Sequence, residues 1–151
     1  MPSIKVKRSD LDKFRPVHDL GWKVVECMDV AEGKPAKSGT SMNYWTKFRV
    51  VGPDGPDKGL EFDHCCNTAG VFAVEPLICA ANNLTRAELF GDQEEIDLNL
   101  DTLPGKVLEA NIQHRTDDNN RVNNNVEEWA PLGTHFPDFG STTATAEGET
   151  F

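Results

Sequence analysis

The chain has 151 residues, of which 38% are apolar and 26% charged, with a net charge of −10. That length supports one compact domain, and the low apolar share leaves part of the chain outside any core. No apolar run approaches the ~20 residues of a membrane helix, and Met1-Pro2-Ser3-Ile4-Lys5 lacks the apolar stretch of a signal peptide, so a cytoplasmic protein is expected.

The acid excess is unevenly placed. Residues 1–49 carry ten Lys/Arg against six Asp/Glu, whereas residues 50–151 carry five against nineteen. The local field at a groove governs phosphate binding more than whole-chain charge does, so a basic half remains compatible with a nucleic-acid partner.

Residues 1–20 mix charges with Pro16 and read as an irregular N-terminal arm. A β pattern begins at Gly21 and runs to Val30, with Trp22, Val24, Met28 and Val30 at period two. The Gly/Pro/Ser punctuation of residues 33–41 marks a loop, followed by a second strand from Asn43 to Val51. After a tight connection at 52–59, Leu60 to Cys66 forms a third strand. Val71, Val74, Leu77, Ile78, Ala81 and Leu84 then recur at helical spacing. Pro76 fits best in a first turn, which predicts that this helix starts near Glu75.

Residues 91–101 are an acidic connector. Lys106 to Arg115 and Arg121 to Ala130 follow as the last two strands, joined by a turn at 117–120. From residue 133 periodicity is lost, and the Ser/Thr-rich stretch ending Glu147-Gly148-Glu149-Thr150-Phe151 cannot bury enough surface to offset the entropy of ordering. The expected architecture is therefore mainly β. It is a five-stranded OB-fold barrel over residues 21–132 with one helix between strands 3 and 4, and a disordered acidic tail over 133–151.

Cys27, Cys65, Cys66 and Cys79 contain no C-x-x-C pair, and His64 beside Cys65 is a hint of a metal site. Buried reduced thiols are the simpler reading, and no metal or other cofactor is expected.

The second strand carries the most chemistry. Alternation puts Tyr44, Thr46, Phe48 and Val50 on one face and Trp45, Lys47 and Arg49 on the other. A ring on which a base stacks, with cations spaced along phosphates, suits a single nucleic-acid strand. A surface Trp packed under the N-terminal arm beside two snorkelling cations is the structural alternative. Lys34 and Lys37 occupy the preceding loop, and Arg115 and Arg121 flank the Asn-rich last hairpin. In an OB-fold both loops border the binding face. No G-x-S-x-G, Walker loop or H-E-x-x-H occurs, so a non-enzyme is expected. Glu61 and Asp63, alternate residues of one strand, are the only hint of a metal-dependent nuclease.

The succession Gly21-Trp22, Lys34 to Gly39, Tyr44 to Val50, Gly59 to Phe62, Leu103-Pro104-Gly105-Lys106 and Trp129-Ala130-Pro131 resembles a family of phage single-stranded-DNA-binding proteins from replication and recombination modules. The resemblance spans roughly residues 20–132. It implies an OB-fold, sequence-tolerant single-strand binding, no cofactor, and partners in DNA replication or recombination. The end of the chain is similar to the acidic, Phe-terminated tips of bacterial and phage single-strand binders. Glu147, Glu149 and Phe151 would then recruit those partners by pairing with cations around an apolar pocket. A structural or interaction module of a viral assembly is the alternative function, and the strand edges leave monomer and homodimer both open.

Overall fold

The computed structural model describes residues 2–8, 11, 15–37 and 39–139, apart from the side chain of Val71. The chain is mainly β, with strands β1 (Gly21–Val30), β2 (Lys34–Pro35), β3 (Met42–Gly52), β4 (Glu61–Asn67), β5 (Val107–Thr116) and β6 (Val122–Pro131). All pair antiparallel in one six-stranded sheet. Its order is β2-β3-β1-β5-β6, with β4 on the other edge of β3. The sequence pattern predicts five strands; the sixth is the two-residue β2, which lengthens the β1–β3 hairpin. Among the described residues no ladder joins β4 to β6, so hydrogen bonding leaves the sheet open along that seam.

The side chains of the inner face fill the core. Val25, Cys27, Phe48, Val50, Phe62, Leu108, Ala110 and Ile112 are all buried on it. Phe48 stacks on Phe62 with ring centroids 5.6 Å apart and meets Trp129 of β6 at 5.1 Å. Trp129 also touches His64 of β4 edge-on at 5.1 Å, so side chains bridge the seam that the backbone leaves open.

The period-two reading of β1 fails at its middle. Opposite β3 the register passes from Cys27↔Phe48 to Asp29↔Lys47, which makes Met28 an extra, bulged residue. The strand buries Val24, as that reading predicts, together with Val25 and Cys27, while Met28 is exposed. A bulge leaves no mark in hydrophobic periodicity.

The helical region is two helices, α1 (Val71–Asn82) and α2 (Arg86–Phe90). Val74, Leu77 and Ile78 are buried as their spacing predicts, and α1 packs chiefly on β6. The start near Glu75 is corrected to Val71, because Pro76 sits inside the helix. Proline denies a hydrogen bond only to the carbonyl four residues back, here that of the exposed Phe72, where solvent can substitute. The break between the helices has local causes. Asn83 adopts φ 53°, and Thr85 forms a capping box with Glu88.

Residues 15–19 of the arm pack along the domain, and residues 133–139 are held further in than the sequence pattern predicts. In the arm, Asp57 accepts the backbone N–H of His18 at 2.7 Å and of Asp19 at 2.9 Å, and it pairs with Arg15 at 3.0 Å. Val17 is buried, its N–H donating to Asn124 at 2.8 Å and its carbonyl meeting His114 Nε2 at 2.8 Å. At the other end, the loss of periodicity predicts a flexible tail from residue 133, but residues 133–139 lie against the sheet. The fully buried carboxylate of Glu109 accepts the backbone N–H groups of Gly133, His135 and Phe136 at 2.8–3.1 Å. His135 stacks on Trp22 with centroids 4.0 Å apart. Phe139 covers Gly52 so closely that a Cβ there would lie 2.5 Å from its ring.

Candidate nucleic-acid interface

Antiparallel pairing brings one row of outward side chains from β1, β3 and β4 into register. Trp45 lies opposite Cys65, Lys47 between Asp29 and Asp63, and Arg49 between Glu26 and Glu61. Tyr44, Thr46, Phe48 and Val50 point the other way, toward the core, as the alternation predicts. Thr46 is completely buried and donates its hydroxyl to the His64 carbonyl at 2.7 Å, locking β4 to β3 beneath this face.

Trp45 is 45% exposed. The hydrogen bonds of Val17 and His18 in the arm are made with Asp57, His114 and Asn124, on other parts of the molecule. The Trp45 carbonyl accepts the Ala31 N–H at 2.8 Å, which closes the base of the loop bearing Lys34 and Lys37. Gly33 allows that closure: a Cβ there would lie 2.6 Å from the Tyr44 ring. Lys34, paired in β2 with Asn43, and Lys37 are both exposed on this loop. The structure thus gathers Trp45, Lys34 and Lys37 at one end of the face and continues it with Lys47 and Arg49.

Two features escape the sequence reading. Lys47 and Arg49 each lie between two carboxylates, and Arg49 is within 3.4 Å of Glu26. Two cations amid four acids make this part of the face a charge-compensated ladder rather than a basic strip. The acids are visible in the sequence, but only the strand register shows that they face these cations. Second, Arg115 and Arg121 stand apart. Gly21 pairs with Ile112 and Glu26 with Val107, so the β5–β6 hairpin tip lies beyond the start of β1. The Lys34/Lys37 loop leaves its far end, on the order of 30 Å away along the strand. Both arginines are exposed, and Asp117 accepts the Arg121 N–H at 2.9 Å.

Glu61 and Asp63 face Arg49 and Lys47 across the ladder. Among the described residues no group of three or more His, Cys, Asp or Glu is placed to hold a metal ion. His64 and Cys65 point to opposite faces. His64 is turned inward against Trp129, its Nε2 is buried with no hydrogen-bond partner, and burial lowers its pKa to about 4. All four cysteines are free, and burial raises the thiols of Cys27 and Cys66 to about 11. No helix among the described residues is long and apolar enough to cross a membrane. Glu147, Glu149 and Phe151 lie outside the described residues. No protein-family model matches the chain, and no curated protein matches it in sequence.

Proposed function

We propose that the chain binds single-stranded DNA without sequence preference, on an OB-type barrel whose outer β1–β3–β4 face is the contact surface. The observation that carries this reading is Trp45, an exposed ring on a strand face with Lys34 and Lys37 beside it. Base–aromatic stacking is worth roughly 1–3 kcal/mol per base and tolerates any sequence, while loop lysines supply phosphate contacts. The barrel assignment is supported by the strand order β4-β3-β1-β5-β6, by a helix between β4 and β5, and by the Trp129 ring spanning the β4/β6 seam. On this reading the protein works without a cofactor in the cytoplasm, during phage replication or recombination. Residues 147–151 recruit protein partners.

The charge compensation around Lys47 and Arg49 favours one alternative, an interaction module whose exposed Trp45 anchors a protein partner. Titration of a labelled oligo-dT strand by fluorescence anisotropy, with a duplex control and a salt series, separates the two. Salt-sensitive binding of the single strand alone, with tryptophan quenching, supports the DNA reading. No binding at low salt rejects it in favour of the interaction module.

A further inference from the structure

On the side of the molecule where β1 ends, a groove of about 1180 Å³ runs between α1, the acidic connector and the edge of the sheet. Its lining is two-toned. Met42, Tyr44, Phe90 and Leu98 give an apolar floor, and Phe72, 91% exposed in the first turn of α1, stands at its lip. Glu32, Glu94, Glu95, Asp97 and Asp101 lie around it, all exposed. Among the described lining residues Arg86 is the one cation, and it is tied to Glu75 at 2.8 Å. The groove therefore selects a segment that is both apolar and basic.

The same chain carries such a segment. In the N-terminal arm Ile4 is 89% and Val6 61% exposed, and they alternate with Lys5 and Lys7, followed by Arg8. Extended, this stretch presents two β-branched side chains on one side and cations on the other.

We propose that the groove receives the N-terminal arm of a second copy of this chain. Ile4 and Val6 sit over the floor beside Phe72, while Lys5 and Lys7 meet Glu94, Glu95 and Asp97. The chain's own arm is poorly placed for this. It is anchored through Arg15 and Val17 near the start of β1, and the groove opens at the end of that ten-residue strand, about 30 Å further on. The eleven residues from Arg15 back to Ile4 extend at most about 40 Å, most of it consumed by the traverse before the arm could turn in. A neighbour's arm has no such constraint. An arm-into-groove contact uses different surfaces on the two copies, so it is heterologous and propagates as an open row rather than closing as a symmetric dimer.

Sedimentation velocity of the full chain without DNA tests this, independently of nucleic-acid binding. The wild type should self-associate with rising concentration and dissociate at high salt. Deletion of residues 2–8 and the substitution Phe72→Asp should each leave only monomer. Because the deleted residues and Phe72 are largely exposed, circular dichroism should show both variants folded. Mixing the two variants should restore a one-to-one complex, since one keeps the groove and the other the arm. A wild type that stays monomeric at all concentrations overturns the proposal, including the case where its own arm occupies the groove. Association that survives the arm deletion overturns it equally.

Discussion

Glu109 holds His135 twice, accepting its backbone N–H at 2.8 Å and meeting its Nδ1 at 2.7 Å, with no part of the carboxylate exposed. A carboxylate removed from water is tolerable only when its oxygens are filled, and here Gly133 and Phe136 donate as well. This single side chain on β5 therefore fastens the segment after β6 across the outer face, where His135 stacks on Trp22.

Glu109→Ala should release that segment. Three backbone N–H groups lose their acceptor, and a loss of about 3 kcal/mol is expected from breaking a buried charged network. Limited proteolysis should cut the variant within residues 132–139 while the strands remain protected. Unchanged cleavage would mean that the Trp22 and Gly52 contacts hold the segment alone.

The reach of the sequence follows from the same residues. The period-two face of β3 and the helical stripe Val74–Leu77–Ile78 are legible because burial writes itself into spacing. Met28 is misplaced by periodicity because a bulge adds a residue without changing composition. The 133–139 segment escapes a reading of composition because its order comes from Glu109, more than twenty positions away, and not from any periodicity of its own. In the candidate site, the Trp45 face is legible, whereas placing acids opposite Lys47 and Arg49 requires the strand register.

Stability should fall on acidification in two separate windows. His64 is held at about 4 by burial, against 6.5 when unfolded. Above pH 6.5 it is neutral in both states and costs nothing. Between 6.5 and about 4 the unfolded chain alone takes up the proton, so up to about 3 kcal/mol is lost. For Asp57, burial raises the carboxyl, but the His18 and Asp19 N–H groups, Arg15 and Lys23 outweigh it and bring the net value down. Its contribution is therefore intact above its unfolded pKa of 3.8 and disappears only as pH falls through the lower folded value. Urea unfolding from pH 7 to 4.5 should show the first loss, and His64→Phe should flatten it. An equal slope in that variant would remove His64 as its cause.

Thiol reactivity should divide the cysteines two and two. Cys27 and Cys66 are buried and raised to about 11, so little thiolate exists at neutral pH and reagents cannot reach it. Cys65 and Cys79 are partly exposed, and burial raises them as well. A thiol-disulfide reagent under native conditions should label Cys65 and Cys79 first, with the other two reacting only on unfolding. Fast labelling of Cys66 in mass spectra would contradict the packing beneath β4.

The ladder makes an unusual prediction for DNA binding, because its acids should restrain the affinity that Trp45 provides. Trp45→Ala should weaken binding by roughly 1–3 kcal/mol on every sequence, with little change in the salt slope. The double change Glu61→Gln and Asp63→Asn should do the reverse. It unmasks Arg49 and Lys47, tightening binding and steepening the salt slope by about 0.7 for each phosphate newly neutralised. Arg115→Ala, beyond the start of β1 and away from the Lys34/Lys37 loop, should matter less than either. If neutralising the acids leaves both affinity and slope unchanged, phosphates do not pass over Lys47 and Arg49. The contact surface would then narrow to Trp45 and the Lys34/Lys37 loop.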